Sequence, residues 1–212
     1  MRQKLIIRDD IIVDLPNGPI GINFSGGADS SLLVYLVLNQ LRNHTVHLFT
    51  ISTLERHFTQ HKTTADVLAK ICSLTNNYNI LHYVSIHDKN TEGANNIQHF
   101  PKQLLYEKQI IKSLLYGNNC NPKIEDLPDV NRFDWDDQSR SPLYTRSLMS
   151  SLGQYCPLTN LTKQDICKIY QKQGILESVF PITKSCGTPY GTDPCEKCWF
   201  CIERKWGLSA LN

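Results

Sequence analysis

The chain has 212 residues, enough for one domain with a small appendage and for an apolar core that needs no disulfide staples. Its 22 Lys and Arg stand against 20 Asp and Glu, and the formal charge of +2 gives no general electrostatic reason to expect direct nucleic-acid binding. The longest apolar run, Leu32 to Leu38, falls far short of the ~18 residues of a membrane span, and Leu5-Ile6-Ile7 is broken at once by Arg8-Asp9-Asp10. Neither an anchor nor a signal peptide is expected, which predicts a cytoplasmic protein.

In chain order, Ile20, Ile22 and Phe24 read as a strand, and Leu32 to Leu38 as the buried part of the helix that follows. Between them, Ser25-Gly26-Gly27-Ala28-Asp29-Ser30-Ser31 forms a turn of small residues. Gly26 and Gly27 let the backbone bend and approach a ligand, and the helix start offers unpaired N–H groups to an anion. Hydroxyls from Ser25, Ser30 and Ser31 add neutral donors, while Asp29 offers a carboxylate to a magnesium ion or a ligand amine. The turn lacks the Gly-Lys-Ser/Thr of a Walker loop and the Gly-x-Gly-x-x-Gly of dinucleotide folds. It resembles the pyrophosphate loop of the N-type ATP pyrophosphatases, which cut ATP between the α- and β-phosphates. The plainer alternative is a helix after a Gly-Gly turn, capped by Ser or Asp.

Strands are predicted at 46–51 and 80–86, with a helix over roughly Gln60 to Leu74 between them. Strands alternating with helices favour a parallel sheet with helices on both faces and ligands at the carboxyl ends of the strands, where the Ser25 turn lies. Pro101 is expected to open a helix to about Tyr116, with Leu104, Leu105, Ile110, Ile111, Leu114 and Leu115 as a core stripe. From Gly117 to Pro142 the chain is polar and reads as a long loop, with Asp134, Asp136 and Asp137 around Trp135 as a solvated acidic group or a magnesium site. Thr162-Lys163-Gln164-Asp165 has the form of a capping motif, Ile166, Ile169 and Tyr170 can face the core, and Gly174 is a plausible stop.

Of eight cysteines, Cys72, Cys120, Cys156 and Cys167 are scattered and read as small buried hydrophobes. Cys186, Cys195, Cys198 and Cys201 crowd into sixteen residues, which points to metal. Four thiolates make a closed tetrahedral site, so zinc in a structural role is the first choice; an iron–sulfur cluster is the rival, and unligated surface thiols are the plain alternative.

Taken together, the two ends resemble the 7-cyano-7-deazaguanine synthase family. Ser25-Gly26-Gly27-Ala28-Asp29-Ser30 matches its ATP loop, Pro157-Leu158 with Leu161-Thr162-Lys163 and Asp165-Ile166 matches a second segment, and Ser185-Cys186, Cys195, Cys198, Cys201 and Arg204 follow its zinc-binding tail. The resemblance implies an α/β fold of the parallel-sheet, Rossmann-like type shared by adenine nucleotide alpha hydrolases over residues 1–180, with a zinc-binding tail over 181–212. It further implies ATP, Mg²⁺ and Zn²⁺ as cofactors, Asp29, Ser30 and Lys163 as catalytic residues, and Ser25, Gly26, Gly27, Ala28, Asp29, Ser30 and Ser31 as the ATP site. The implied reaction adenylates the carboxylate of 7-carboxy-7-deazaguanine, then uses ammonia to form an amide and finally a nitrile. The chain departs from the family pattern at Ser52 to Glu55 and at Pro101 to Leu104, segments expected to line the acceptor pocket. Release at the amide, sulfur transfer to an adenylated tRNA base, and a non-catalytic nucleotide- or partner-binding module remain as alternatives, and a homodimer is left open.

Overall fold

The computed structural model describes residues 2–54, 57–87, 94–127, 140, 154–186 and 194–211. The acidic group Asp134, Asp136 and Asp137, and Glu55 of the departing segment, lie outside the described residues.

The chain opens with an antiparallel hairpin, β1 (Arg2–Arg8) and β2 (Ile11–Pro16), turned at Asp9-Asp10. Its alternation places Leu5, Ile7 and Leu15 in the core, while Ile6 and Ile12 face outward. Then follow β3 (Ile20–Asn23), α1 (Ala28–Gln40), β4 (Val46–Thr53), α2 (His57–Thr75), β5 (Ile80–His87), α3 (Ala94–Glu107) and β6 (Ser113–Leu115). Near the carboxyl end come α4 (Lys163–Lys172) and α5 (Trp199–Ser209), which pack on each other.

Strands β5-β4-β3-β6 form a parallel four-stranded sheet in that order, so the fold is α/β as expected. Successive residues feed opposite faces: Leu48 and Leu115 join the main core, Phe49 and Leu114 a smaller one. The main core holds α1, the inner faces of α2 and α4, and the hairpin; the smaller one holds Ile111 with Leu105 and Tyr106 of the α3 region. Helix α1 is buried from Leu32 to Leu38 without interruption, which requires cover on every side. The hairpin supplies part of that cover. Gln40 fastens it by accepting from the Ile6 N–H at 2.9 Å and donating to the Ile6 carbonyl at 2.8 Å.

The helix expected from Pro101 to Tyr116 is corrected. Helix α3 begins at Ala94, carries Pro101 inside it and stops at Glu107. Gln109 then takes a positive φ of 57°, and Ser113–Leu115 pair with Ile20–Ile22 as an edge strand. The supposed stripe therefore divides: Ile111, Leu114 and Leu115 are buried, whereas Leu104 and Ile110 are exposed. The capped helix stands as predicted. Thr162 accepts from the Asp165 N–H, Asp165 accepts from the Thr162 N–H at 2.9 Å, and Gly174 ends the turn with φ 67°.

Gly21 sits mid-sheet where a Cβ would fall 2.7 Å from Ile111 Cδ1 and 3.1 Å from Phe49 Cε2. Gly21→Val is expected to destabilise the fold by about 1–3 kcal/mol through overpacking. A chemical-denaturation midpoint at or above the wild-type value would contradict this packing.

Candidate functional site

Strand β3 ends at Asn23, and Phe24 is still held to β4 by its N–H on the Phe49 carbonyl at 2.8 Å and by its own carbonyl, which accepts from Thr50 Oγ1 at 2.6 Å. That anchorage fixes where the loop starts. Gly26 takes a φ of 78°, and a Cβ on it would fall 3.1 Å from Thr64 Cγ2, so glycine suits both the backbone and the space. Ser25 Oγ accepts from the Gly27 N–H at 3.2 Å, and Ser30 Oγ accepts from the Ser25 N–H at 3.2 Å while lying 3.0 Å from Ser25 Oγ. Ser30 thus braces the loop from within. From the other side, the Lys184 N–H donates to the Gly26 carbonyl at 3.0 Å.

Gly27 is the N-cap residue of α1, and no side chain among the described residues caps the helix. The alternative of a Ser- or Asp-capped helix is therefore set aside. The carbonyl ends of β3 and β6 leave a cavity of about 280 Å³ in front of this helix start, lined by Ser25, Gly27, Asp29, Ser30, Lys163 and residues that sequence reading did not single out. Those additions include Gly117, Asn119, Arg140 and Glu203. Gly26, Ala28 and Ser31 do not line it; Ser31 is fully buried and its hydroxyl has no hydrogen-bond partner among the described residues. Gly117 closes one wall at contact distance, since a Cβ there would fall 2.8 Å from the Ser30 nitrogen.

At the centre lies a chain of charges. Lys163 is 2 % exposed, and its Nζ donates to both oxygens of Asp29 at 2.5 Å. Glu203 of α5 is 1 % exposed and accepts through Oε1 from Arg140 Nη2 and, at 3.4 Å, from Asn119 Nδ2; its Oε2 lies 3.9 Å from Lys163 Nζ. Two cations and two carboxylates balance in a setting too dry to tolerate an unpaired charge. Sequence spacing put Lys163 at a helix start and allowed it to be a surface residue, but the packing of α4 against α5 buries it. A Cβ on Gly207 would come 2.5 Å from Lys163 Cγ, so that glycine gives the lysine stem its room.

The four crowded cysteines converge. Their Sγ atoms all lie within 4.8 Å of one another, with Cys195 to Cys201 at 3.9 Å and Cys186 to Cys198 at 4.0 Å. A single tetrahedral ion with metal–sulfur bonds near 2.3 Å spaces its ligands by about 3.8 Å, so the donor set fits one ion; a cubane cluster would hold its thiolates farther apart. Backbone N–H groups of Lys197 and Cys198 pull the Cys195 thiol down, whereas burial pushes Cys201 up to about 12. Beside this group is a second cavity of about 270 Å³, lined by Thr63, Lys184, Ser185, Cys186, Cys201 and Arg204 among others. Ser185 lines both cavities.

No family model matches the chain, and no curated protein does. Among solved structures it is similar to the U34-tRNA thiolase NcsA from Methanococcus maripaludis with its 4Fe-4S cluster, at 13% identity and a TM-score of 0.48. That match covers 95% of this chain and 65% of the thiolase chain.

The thiol geometry sets an expectation for metal content. Purified protein should carry about one metal ion per chain, and Cys186→Ser, Cys195→Ser, Cys198→Ser or Cys201→Ser should lower both metal content and melting temperature. Cys72→Ser, outside the cluster, should leave metal content unchanged. Elemental analysis of each variant checks this, and iron with acid-labile sulfide would reject the single-ion geometry.

Proposed function

We propose that the chain uses ATP to adenylate a small carboxylate, with the Ser25 to Ser31 turn as a pyrophosphate loop of the N-type ATP pyrophosphatase kind. The observation that carries this reading is the pairing of Asp29, at the cavity, with the buried Lys163 beside an uncapped helix start. An uncapped helix start attracts phosphate oxygens, a buried ammonium neutralises the leaving pyrophosphate, and a carboxylate beside both suits Mg²⁺. Arg140 adds a second cation on the same cavity wall. Mg²⁺, when bound, would be held by Asp29 and would screen charge on the phosphates. Zn²⁺ would be held by Cys186, Cys195, Cys198 and Cys201 and would fix the start of α5.

The substrate we infer is 7-carboxy-7-deazaguanine, on the resemblance of the chain's two ends to the 7-cyano-7-deazaguanine synthase family. Its carboxylate oxygen would attack the α-phosphorus, forming an acyl adenylate and releasing pyrophosphate. Ammonia then adds at the acyl carbon, AMP leaves, and the product is an amide. For the nitrile, the amide oxygen attacks the α-phosphorus of a second ATP, expelling a second pyrophosphate as nitrogen gives up one proton, and loss of AMP with the remaining N–H proton leaves the carbon–nitrogen triple bond. The second cavity, sharing Ser185 with the first and edged by Lys184 and Arg204, suits an anionic acceptor. The chain's part is to stabilise charge on the departing phosphates and to hold the acceptor away from water.

Sulfur transfer would need a sulfur-carrying thiol near the ATP site; Cys156 Sγ lies beside the first cavity, 3.5 Å from the Asn118 carbonyl, and burial pushes its thiol up to about 12.

The test is pyrophosphate release from ATP with and without 7-carboxy-7-deazaguanine plus ammonium. Release is expected only with both, and Asp29→Ala or Lys163→Met should lower kcat/KM by about 100-fold or more. Mass spectrometry after excess ATP should show a product one water lighter than the amide; accumulation of the amide alone would place the end point there. If AMP forms only with a different acceptor, the substrate assignment fails while the loop assignment stands. If the variants turn over normally, the loop assignment fails.

A further inference from the structure

Lys163 has one ammonium and two carboxylates to choose between. Asp29 holds it at 2.5 Å, and its side chain is 21% exposed at the cavity. Glu203 Oε2 waits at 3.9 Å, with the carboxylate buried and only its other oxygen engaged by Arg140 and Asn119. Among the described residues no hydrogen bond is donated to Glu203 Oε2. The lysine stem is pinned between α4 and Gly207 of α5, so Nζ can move only by its last torsions, over a distance that those torsions span. Two acceptors flanking a tethered cation make a two-position arrangement.

Occupation of the site demands the second position. A divalent cation arriving with triphosphate needs the Asp29 carboxylate, and Asp29 is bonded to Lys163 through both oxygens. Freed from Asp29, a buried ammonium without a carboxylate would be strongly disfavoured. Glu203 removes that penalty. We propose that Glu203 is a positioning residue that receives Lys163 when Mg²⁺ takes Asp29, so that one lysine serves as counter-ion to the empty loop and as phosphate ligand in the filled one. This inference rests on the reading of the loop as a nucleotide site. It also gives the cysteine tail a part in the exchange, because Glu203 stands two residues after Cys201 on the same helix.

The experiment measures ATP binding by calorimetry on metal-loaded protein, first in magnesium-free buffer and then across a Mg²⁺ titration. In Glu203→Gln the lysine keeps only Asp29, so the half-saturating Mg²⁺ concentration is expected to rise about tenfold or more. Affinity for ATP without magnesium, which requires no exchange, is expected to change far less than affinity with it. A merely structural role would weaken both alike. Arg140→Met, which also removes a cation from the cavity wall and so weakens magnesium-free ATP binding, gives the opposite sign in the Mg²⁺ titration: Glu203 without its arginine favours transfer of Lys163 and lowers the half-saturating Mg²⁺ concentration. That variant decides the matter if Glu203→Gln does not fold. An unchanged Mg²⁺ requirement in the variant that folds, or equal weakening with and without Mg²⁺, overturns the exchange. Failure of wild-type protein to bind ATP under either condition overturns the nucleotide-site reading beneath it.

Discussion

A lysine ammonium buried to 2 % exposure must be paired, and the pairing of Lys163 organises much of this molecule. Its partners come from remote parts of the chain: Asp29 from the start of α1, Glu203 from α5, and Arg140, through Glu203, from the connection between them. Each was brought there by a different packing event. Helix α1 is set by β3, α4 by its capping box and by Tyr170, whose hydroxyl donates to the Ala28 carbonyl at 2.7 Å, and α5 by its contact with α4. The charge cluster is thus a meeting point of elements that the apolar core has already located, and its electrostatic demands then fix their mutual register.

The same economy governs the hydrophobic side. A helix apolar around its circumference cannot lie on a sheet with one face in water. Helix α1 lies against β3, has α2 and α4 beside it, and receives the amino-terminal hairpin as a further cover. Arg8 extends that cover to the site, joining Asp10 in the hairpin turn at 2.6 Å and Asp165 in the capping box of α4 at 3.3 Å. The hairpin thereby helps position the helix that begins with Lys163.

The cysteine tail completes one wall of both cavities. Helix α5 begins immediately after Cys198, includes Cys201 and then presents Glu203, Arg204 and Gly207 toward the rest of the domain. Arg204 stacks on Phe180 with its guanidinium carbon 4.0 Å from the ring centre and donates to Thr183 Oγ1 at 2.7 Å, which holds the segment leading to Lys184 and Ser185 against the loop. An ion gathering the four thiolates would therefore stiffen the helix that carries the second carboxylate of the lysine.

What the sequence determined is what short-range physics can encode. The Ser-Gly-Gly-x-Asp-Ser turn between strand and helix, the strands of β3 to β5, the Thr162 to Asp165 capping box and the gathering of the four cysteines each act within about one turn or one loop, so their local geometry is legible in isolation. The hairpin and β6 were not legible: Asp-Asp is a weak turn signal, and three strand residues set among helically spaced leucines carry no decisive period. Only the tertiary structure decided that Lys163 is buried rather than exposed, that Asp29 pairs with it across 134 positions of chain, and that Gly117, Arg140 and Glu203 belong to the site. A side chain's burial and its ionic partner depend on which elements pack over it, and packing is a property of distances in space that no local pattern of residues contains.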